Sequence, residues 1–403
     1  MTPLGLVIIA MLAHQGAHIV ALVPDVEAPD VVQMIELLRE STLSENIFAE
    51  TCDMGDLESV SLFARRWNEG TRPSAVPGAP SAAGVAAPGA KTPRRHLFSH
   101  EVPQAHRLDT ILFLPSDDAT YKLGTPLTGS VNTYAENEHA ERTYARDVLA
   151  RFHLVNSLLP SLLILPANRD IRIVSAVSPW YAAGVGEFER VAAPMPPYGA
   201  PVFQPWTRVG AAALHWIVLA GELQRRLNLL AEADTRSRTK LPGIDIDEPA
   251  VHAPGGIPRR SNISSVLICP GFEVSSQLSV FLGLVPPVKE HKVQSTVLFL
   301  LLVLLYPLLW LFGKPTSRGA DAIVWGATAR IESELDTARR ERGANDPRTW
   351  TGIAAGHLYR DGRVVTAPVP ARCTSAQGAS ALWDETEARV ERLVGTIQWP
   401  LHK

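Results

Sequence analysis

Apolar and polar positions along the chain switch repeatedly between a helical period and a strand period. Gly5 to His14 is small and apolar, Gln15 and Gly16 interrupt it, and His18 to Val23 is a β-branched run. An apolar helix stopped by glycine and followed at once by such a run is the helix-to-strand half of a βαβ unit. A signal peptide is the competing reading of the first segment, but it would need a basic n-region and a small-residue cleavage site in place of the strand. Val31 to Arg39 is predicted helical and Asn46 to Thr51 a short strand. Asp56 to Trp67 is an amphipathic helix with Leu57, Val60, Leu62, Phe63 and Trp67 as its apolar positions. Residues 70–91, rich in Ala, Gly, Pro and Ser, predict a disordered insertion. The alternation then resumes with a strand at Asp109 to Leu114, a long helix over Ala140 to Leu163 and a strand at Arg169 to Val177. A Pro-rich loop (Ala183 to Trp206), a helix (Val209 to Ala233), a polar loop insertion (residues 234–260) and a strand at Ser264 to Cys269 follow. Strand and helix in turn predict an α/β fold, a doubly wound, mostly parallel sheet covered on both faces, as a single domain over residues 1–396.

Composition sharpens this in three ways. With 46% apolar residues and a net charge of −3 over 403 residues, the chain is not disordered throughout and carries no basic field for nucleic acid. Proline, at 32 residues, exceeds the usual share of about 5% and predicts long irregular connections. Cys52, Cys269 and Cys373 lie far apart without a CxxC pair, which favours a reducing compartment. His14, His18, His153 and His215 form no recognisable metal-ligand motif, and the acids at Glu187, Glu189, Asp245, Asp247 and Glu248 lie in loops where solvation is the expected role. The longest apolar run, Val293 to Gly313, is uncharged throughout and flanked by Lys289, Lys292, Lys314 and Arg318. It matches the roughly 20 residues that cross a bilayer, so membrane contact through Val293–Phe312 is expected.

Laid out in order, these segments resemble the short-chain dehydrogenase/reductase family, in particular its retinol-dehydrogenase-like members. The resemblance is carried by Gly16-Ala-His-Ile-Val-Ala-Leu22, by Cys52-Asp53 with Leu57-Glu-Ser-Val60, and by Phe152 to Leu163. Arg172-Ile-Val-Ser-Ala-Val-Ser178, Glu222-Leu-Gln-Arg-Arg-Leu227 and Cys269-Pro-Gly-Phe272 continue it, and Gly356-His-Leu-Tyr359 and Leu382 to Glu387 match in kind. It implies a Rossmann-like fold that binds NAD or NADP at the carboxyl ends of its strands and transfers hydride to or from a carbinol or carbonyl. It places Gly5 at the cofactor's phosphates, Asp53 at its adenine, and Ser178 as the catalytic serine. A tyrosine, its pKa lowered by a lysine, would serve as acid or base.

Several positions depart from that pattern. Only Thr2-Pro-Leu-Gly5 stands for the glycine-rich phosphate turn, and the first strand, which belongs between those at His18 and Asp109, is missing. A misplaced start, a truncated gene or closure of the neighbouring strands would each account for this; a misplaced start is the favoured expectation. No tyrosine has lysine four residues later. Anchoring on Glu222 puts the tyrosine at Val209 and the lysine at Ala213, anchoring on Tyr198 puts Val202 at the lysine, and the family's asparagine falls at Asp147. The strand-four motif reads Leu114-Pro-Ser-Asp117. Ser178 is alternatively a strand-end serine bonded to backbone, and Asp53 a turn or cap residue before the helix at Asp56.

Two functions are carried forward. One is an NAD(P)-dependent oxidoreductase scaffold for a lipophilic alcohol or ketone, catalytically impaired. The other is a non-catalytic dinucleotide-binding or scaffold protein at a membrane surface. Because the resemblance returns the chain beyond Gly313 to the same sheet, Val293–Phe312 is expected to enter a membrane without crossing it, on the cytoplasmic face of the endoplasmic reticulum or mitochondrial outer membrane.

Overall fold

Helix α1 (Pro3–His14) starts where Thr2 accepts a bond from the Gly5 N–H at 2.9 Å and Pro3 occupies the first turn, and it stops at Gly16, whose φ of +81° only glycine adopts readily. This computed structural model describes residues 2–68, 108–114, 142–164, 170–191, 205–233, 260–272, 313–332 and 352–395. The insertion at 70–91, nearly all of the loop at 234–260 and the apolar run Val293–Phe312 lie outside the described residues. Among those described, no helix is long and apolar enough to cross a membrane.

Two strands, β1 (Ile19–Val23) and β2 (Ile47–Thr51), pair in parallel through helix α2 (Pro29–Thr42), and α3 (Leu57–Asn68) follows. A second sheet runs in the order β3 (Thr110–Phe113), β4 (Ile171–Ala176), β5 (Ile263–Cys269), β6 (Leu358–Arg360), β7 (Arg363–Val365). Its first four strands are parallel; only β7 turns back, through Asp361 and Gly362, both at positive φ. The remaining helices are α4 (Arg151–Ile164), α5 (Pro205–Ala233), α6 (Thr316–Thr328) and α7 (Ala376–Val394). The α/β fold with a mostly parallel sheet is therefore as the alternation predicts. All seven positions of β5 are buried, as a strand covered on both faces requires.

Both half-sheets lie between the same helices. On one side α1 contributes Leu4 and Ile8 to a cluster with Val174, Ala176, Val266 and Ile268, and contributes Ile9 and Ala13 to another with Val23, Ile47 and Ala49. On the opposite side Cys52, Val60 and Phe63 share one core with Ile111, Phe113, Phe152, Trp216 and Trp383. Among the described residues β1 and β3 do not pair, so the neighbouring strands have not closed up.

Two segments depart from expectation. The long helix before β4 opens with a π-helical stretch, Ala145–Ala150. The start of the loop predicted over Ala183 to Trp206 is helical instead, within a 3₁₀ helix over Pro179–Glu187 followed by the helical turn Phe188–Val191.

Candidate functional site

Parallel strands bring their carboxyl ends to one edge of the layer, and with them the loops that carry chemistry in open α/β sheets. Asp53 follows β2, Ser178 follows β4, Gly271 follows β5 and Asp361 follows β6. The amino end of α1, with Gly5, stands at the same edge: a Cβ on Gly5 would lie 3.1 Å from Leu114 Cδ1, just beyond β3.

Each candidate from the sequence is held by the protein itself. Ser178 caps the 3₁₀ helix, its Oγ accepting a long bond from the Trp180 N–H at 3.4 Å, which is the alternative strand-end role. One Asp53 carboxylate oxygen accepts from the Gly55 N–H at 2.7 Å, and its own N–H donates to Ser59 Oγ at 3.0 Å, so it closes a turn ahead of α3. At Gly5 the close approach that glycine permits is filled by Leu114 Cδ1 and Thr2 Oγ1, each 3.1 Å from the Cβ position. With Pro3 lacking an N–H and the Gly5 N–H bonded to Thr2, the first turn of α1 does not fit a dinucleotide pyrophosphate, which would need those donors and that space.

The place that anchoring on Glu222 assigns to the tyrosine and lysine is the first turns of α5, where Val209 and Ala213 stand. The 3₁₀ helix packs on the neighbouring Gly210 and Ala211, while Val209 and Ala213 stay half-exposed. A Cβ on Gly184 would come within 2.0 Å of the Ala211 nitrogen, and one on Gly210 within 2.2 Å of the Trp180 carbonyl oxygen, so two glycines allow backbone-to-backbone packing here. The Trp180 ring meets Phe272 edge-on at 4.9 Å, roofing the carboxyl ends of β4 and β5 with aromatic surface. Asp147, in the asparagine's place, faces Arg146 and Arg151 at 3.5 and 3.7 Å.

Lys314, read from the sequence only as a flank of the apolar run, is the one lysine among the described residues. Its Nζ pairs with Asp361 and reaches the Pro270 carbonyl at 3.4 Å, while its stem packs on Gly271. Nearby, burial pushes the Cys269 thiol up despite the Gly271 N–H, so it is no thiolate at neutral pH. Two buried histidines have structural partners. His215 Nε2 contacts the Phe188 carbonyl at 2.7 Å and so carries the proton, leaving Nδ1 to accept from the Tyr144 hydroxyl at 3.1 Å. His153 Nε2 lies 2.6 Å from Ser61 Oγ. Burial pulls both rings down to about 4, and burial raises the Tyr144 phenol, so neither the neutral imidazoles nor this tyrosine titrates near neutral pH. Among the described residues no cluster of three or more His, Cys, Asp or Glu could hold a metal ion.

No family model matches the sequence. An uncharacterized oxidoreductase of Saccharomyces cerevisiae is 24% identical over 316 residues, which cover 78% of this chain and 62% of that protein. One from Schizosaccharomyces pombe is 25% identical over 319 residues, 79% of this chain and 65% of its own. The chain thus spans less than two thirds of the length of these curated relatives. Among solved structures, the Pseudomonas aeruginosa RhlG/NADP active-site complex aligns at 15% identity and a TM-score of 0.43, covering 89% of this chain and 90% of that one. A short-chain dehydrogenase from Streptomyces avermitilis aligns at 10% identity and 0.37, covering 97% and 92%.

Proposed function

We propose that the chain is an oxidoreductase-type scaffold of the short-chain dehydrogenase/reductase kind which does not itself turn over an alcohol or ketone. The yeast relatives' description as oxidoreductases and the mostly parallel α/β sheet support the first half. The observation that carries the second is that Val209 and Ala213 stand, half-exposed, where a tyrosine and lysine would act. Neither side chain carries a proton to move. The membrane contact in this reading is that of Val293–Phe312.

The test is turnover of a long-chain alcohol and ketone panel with NAD(H) and NADP(H), alongside thermal shift with each cofactor. No rate above background is expected, and no shift at cofactor concentrations up to about 1 mM, because the first turn of α1 offers no pyrophosphate cradle. A rate above background that Ser178→Ala abolishes would overturn the reading. For the membrane contact, carbonate extraction should retain the full chain in the membrane fraction and release a variant lacking residues 293–312; complete release of the intact chain rejects it.

A further inference from the structure

The chain leaves the described residues at Phe272 and rejoins them at Gly313, and the Lys314 N–H donates to the Phe272 carbonyl at 2.7 Å. Both ends of the intervening stretch therefore stand together at the carboxyl end of β5, and the apolar run that closes at Phe312 starts from this corner of the molecule. The corner is basic. Arg360 ends β6, Arg363 begins β7, and Lys314 and Arg318 stand at the start of α6. Among the described residues these four face two acids, Asp361, already paired with Lys314, and Asp321, one turn along α6. Arg318 and Arg363 are exposed, and their guanidinium groups have no partner among the described residues. The turn through Asp361 and Gly362, both at positive φ, sets Arg360 directly opposite Arg363 across the antiparallel pair. Like charges so placed destabilise a hairpin, and an anion lying against both relieves the repulsion. Aromatic surface adjoins them, since Phe272 carries the half-exposed ring that Trp180 meets at 4.9 Å. Tryptophan and a second aromatic beside lysine and arginine is the mixture found where proteins meet the bilayer interface.

We propose that this corner, the β6–β7 turn with the start of α6, docks on an anionic lipid bilayer, with Arg318 and Arg363 on the headgroups and Trp180 and Phe272 at the interface. The proposal rests on the reading of Val293–Phe312 as a membrane contact and adds to it a face of the fold and a lipid charge. One apolar anchor alone binds a membrane reversibly, and a basic patch supplies the second signal that holds it there. Each lysine or arginine held near an anionic leaflet strengthens binding about fivefold. The corner has the right charge for that, and the bond between Lys314 and Phe272 fixes it at the root of the apolar run.

Sedimentation of the full chain with vesicles tests it, using phosphatidylcholine alone and phosphatidylcholine with about 30% phosphatidylserine. Partitioning should rise about tenfold or more on the anionic vesicles, and salt at about 0.5 M should remove the increment. Arg318→Glu and Arg363→Glu should each lower binding to the anionic vesicles about fivefold or more and leave binding to the neutral ones unchanged. Arg65→Glu, the same charge change at an exposed position of α3, should have little effect. Equal binding to both kinds of vesicle, or an equal loss in Arg65→Glu, refutes the corner while the apolar segment stands. Phosphatidylserine-dependent binding that survives deletion of residues 293–312 yet falls in Arg363→Glu upholds the corner and rejects the segment. No binding to either vesicle rejects both. Equal, Arg363-dependent capture by an RNA oligomer at the same ionic strength would make nucleic acid the occupant and overturn the membrane assignment.

Discussion

Alanine normally stabilises a helix where it replaces glycine, and α5 offers two glycines at which the sign of that change should differ. At Gly221 a Cβ meets nothing within 4 Å. Gly221→Ala should gain the ordinary propensity difference, up to about 1 kcal/mol. At Gly210 the same Cβ would sit 2.2 Å from the Trp180 carbonyl oxygen and 2.8 Å from the Gly184 nitrogen. Relief means moving backbone, since none of these atoms belongs to a flexible side chain. Overpacking of that kind costs about 1–3 kcal/mol, and the displaced 3₁₀ helix would also separate the Trp180 and Phe272 rings. The net expectation for Gly210→Ala is a loss of up to about 2 kcal/mol, and because the propensity gain is common to both, the two variants should differ by about 1–3 kcal/mol. Urea unfolding followed by far-ultraviolet circular dichroism resolves such a difference as a shift in midpoint at constant slope. If Gly210→Ala proved as stable as Gly221→Ala, the backbone of the 3₁₀ helix would not lie on α5 at Gly210.

Other tests address the buried polar groups. His215 is held down to about 4 by burial, against about 6.5 in an unfolded chain. Its contribution is therefore complete above pH 6.5 and lost as pH falls through 6.5 towards 4, a total of about 3 kcal/mol. Unfolding free energies at pH 7, 6 and 5 should fall less steeply in His215→Asn than in the parent; parallel slopes refute this. The Glu222 carboxylate, itself fully buried, bonds Arg225 at 2.6 Å and Arg226 at 2.9 Å, while Arg226 reaches Asp384 on α7 at 3.1 Å. Glu222→Ala should cost about 3 kcal/mol by leaving Arg226 buried with a weaker partner, and a cost below 1 kcal/mol in chemical denaturation contradicts that. Burial with Asp53 beside it pushes the Cys52 thiol up to about 12, so alkylation of native protein at pH 8 should spare Cys52 until the chain unfolds.

The elements with a strong period were legible in the sequence because pattern and burial agree there. β5 reads as a continuous apolar run and is buried throughout, and α3 shows its amphipathic stripe in Val60 and Phe63. The 3₁₀ helix was not legible. Its Pro, Gly and Ala residues have loop composition, and what orders it is a tertiary contact between Gly184 and Gly210, 26 positions apart in sequence. The π-helical stretch is hidden for a similar reason, since no periodicity distinguishes Ala145–Ala150 from α-helix. The candidate site was legible by position, and Ser178 and Asp53 fill the alternative roles read for them, a strand-end serine and a turn aspartate, by accepting from the N–H groups of Trp180 and Gly55. Lys314 was legible only as a flank of the apolar run, because the fold alone brings it to Asp361.

Helix α1 has a further consequence for cooperativity. Its Ile9 and Ala13 belong to the core of the β1–β2 half and its Leu4 and Ile8 to that of the β3–β7 half, so on that side of the layer it is the element common to both. Unfolding the two halves together depends on that shared helix and on the Phe63 side of the opposite core. A lesion confined to α1 lowers the coupling between the halves more than the stability of either one, and turns a single unfolding transition into two.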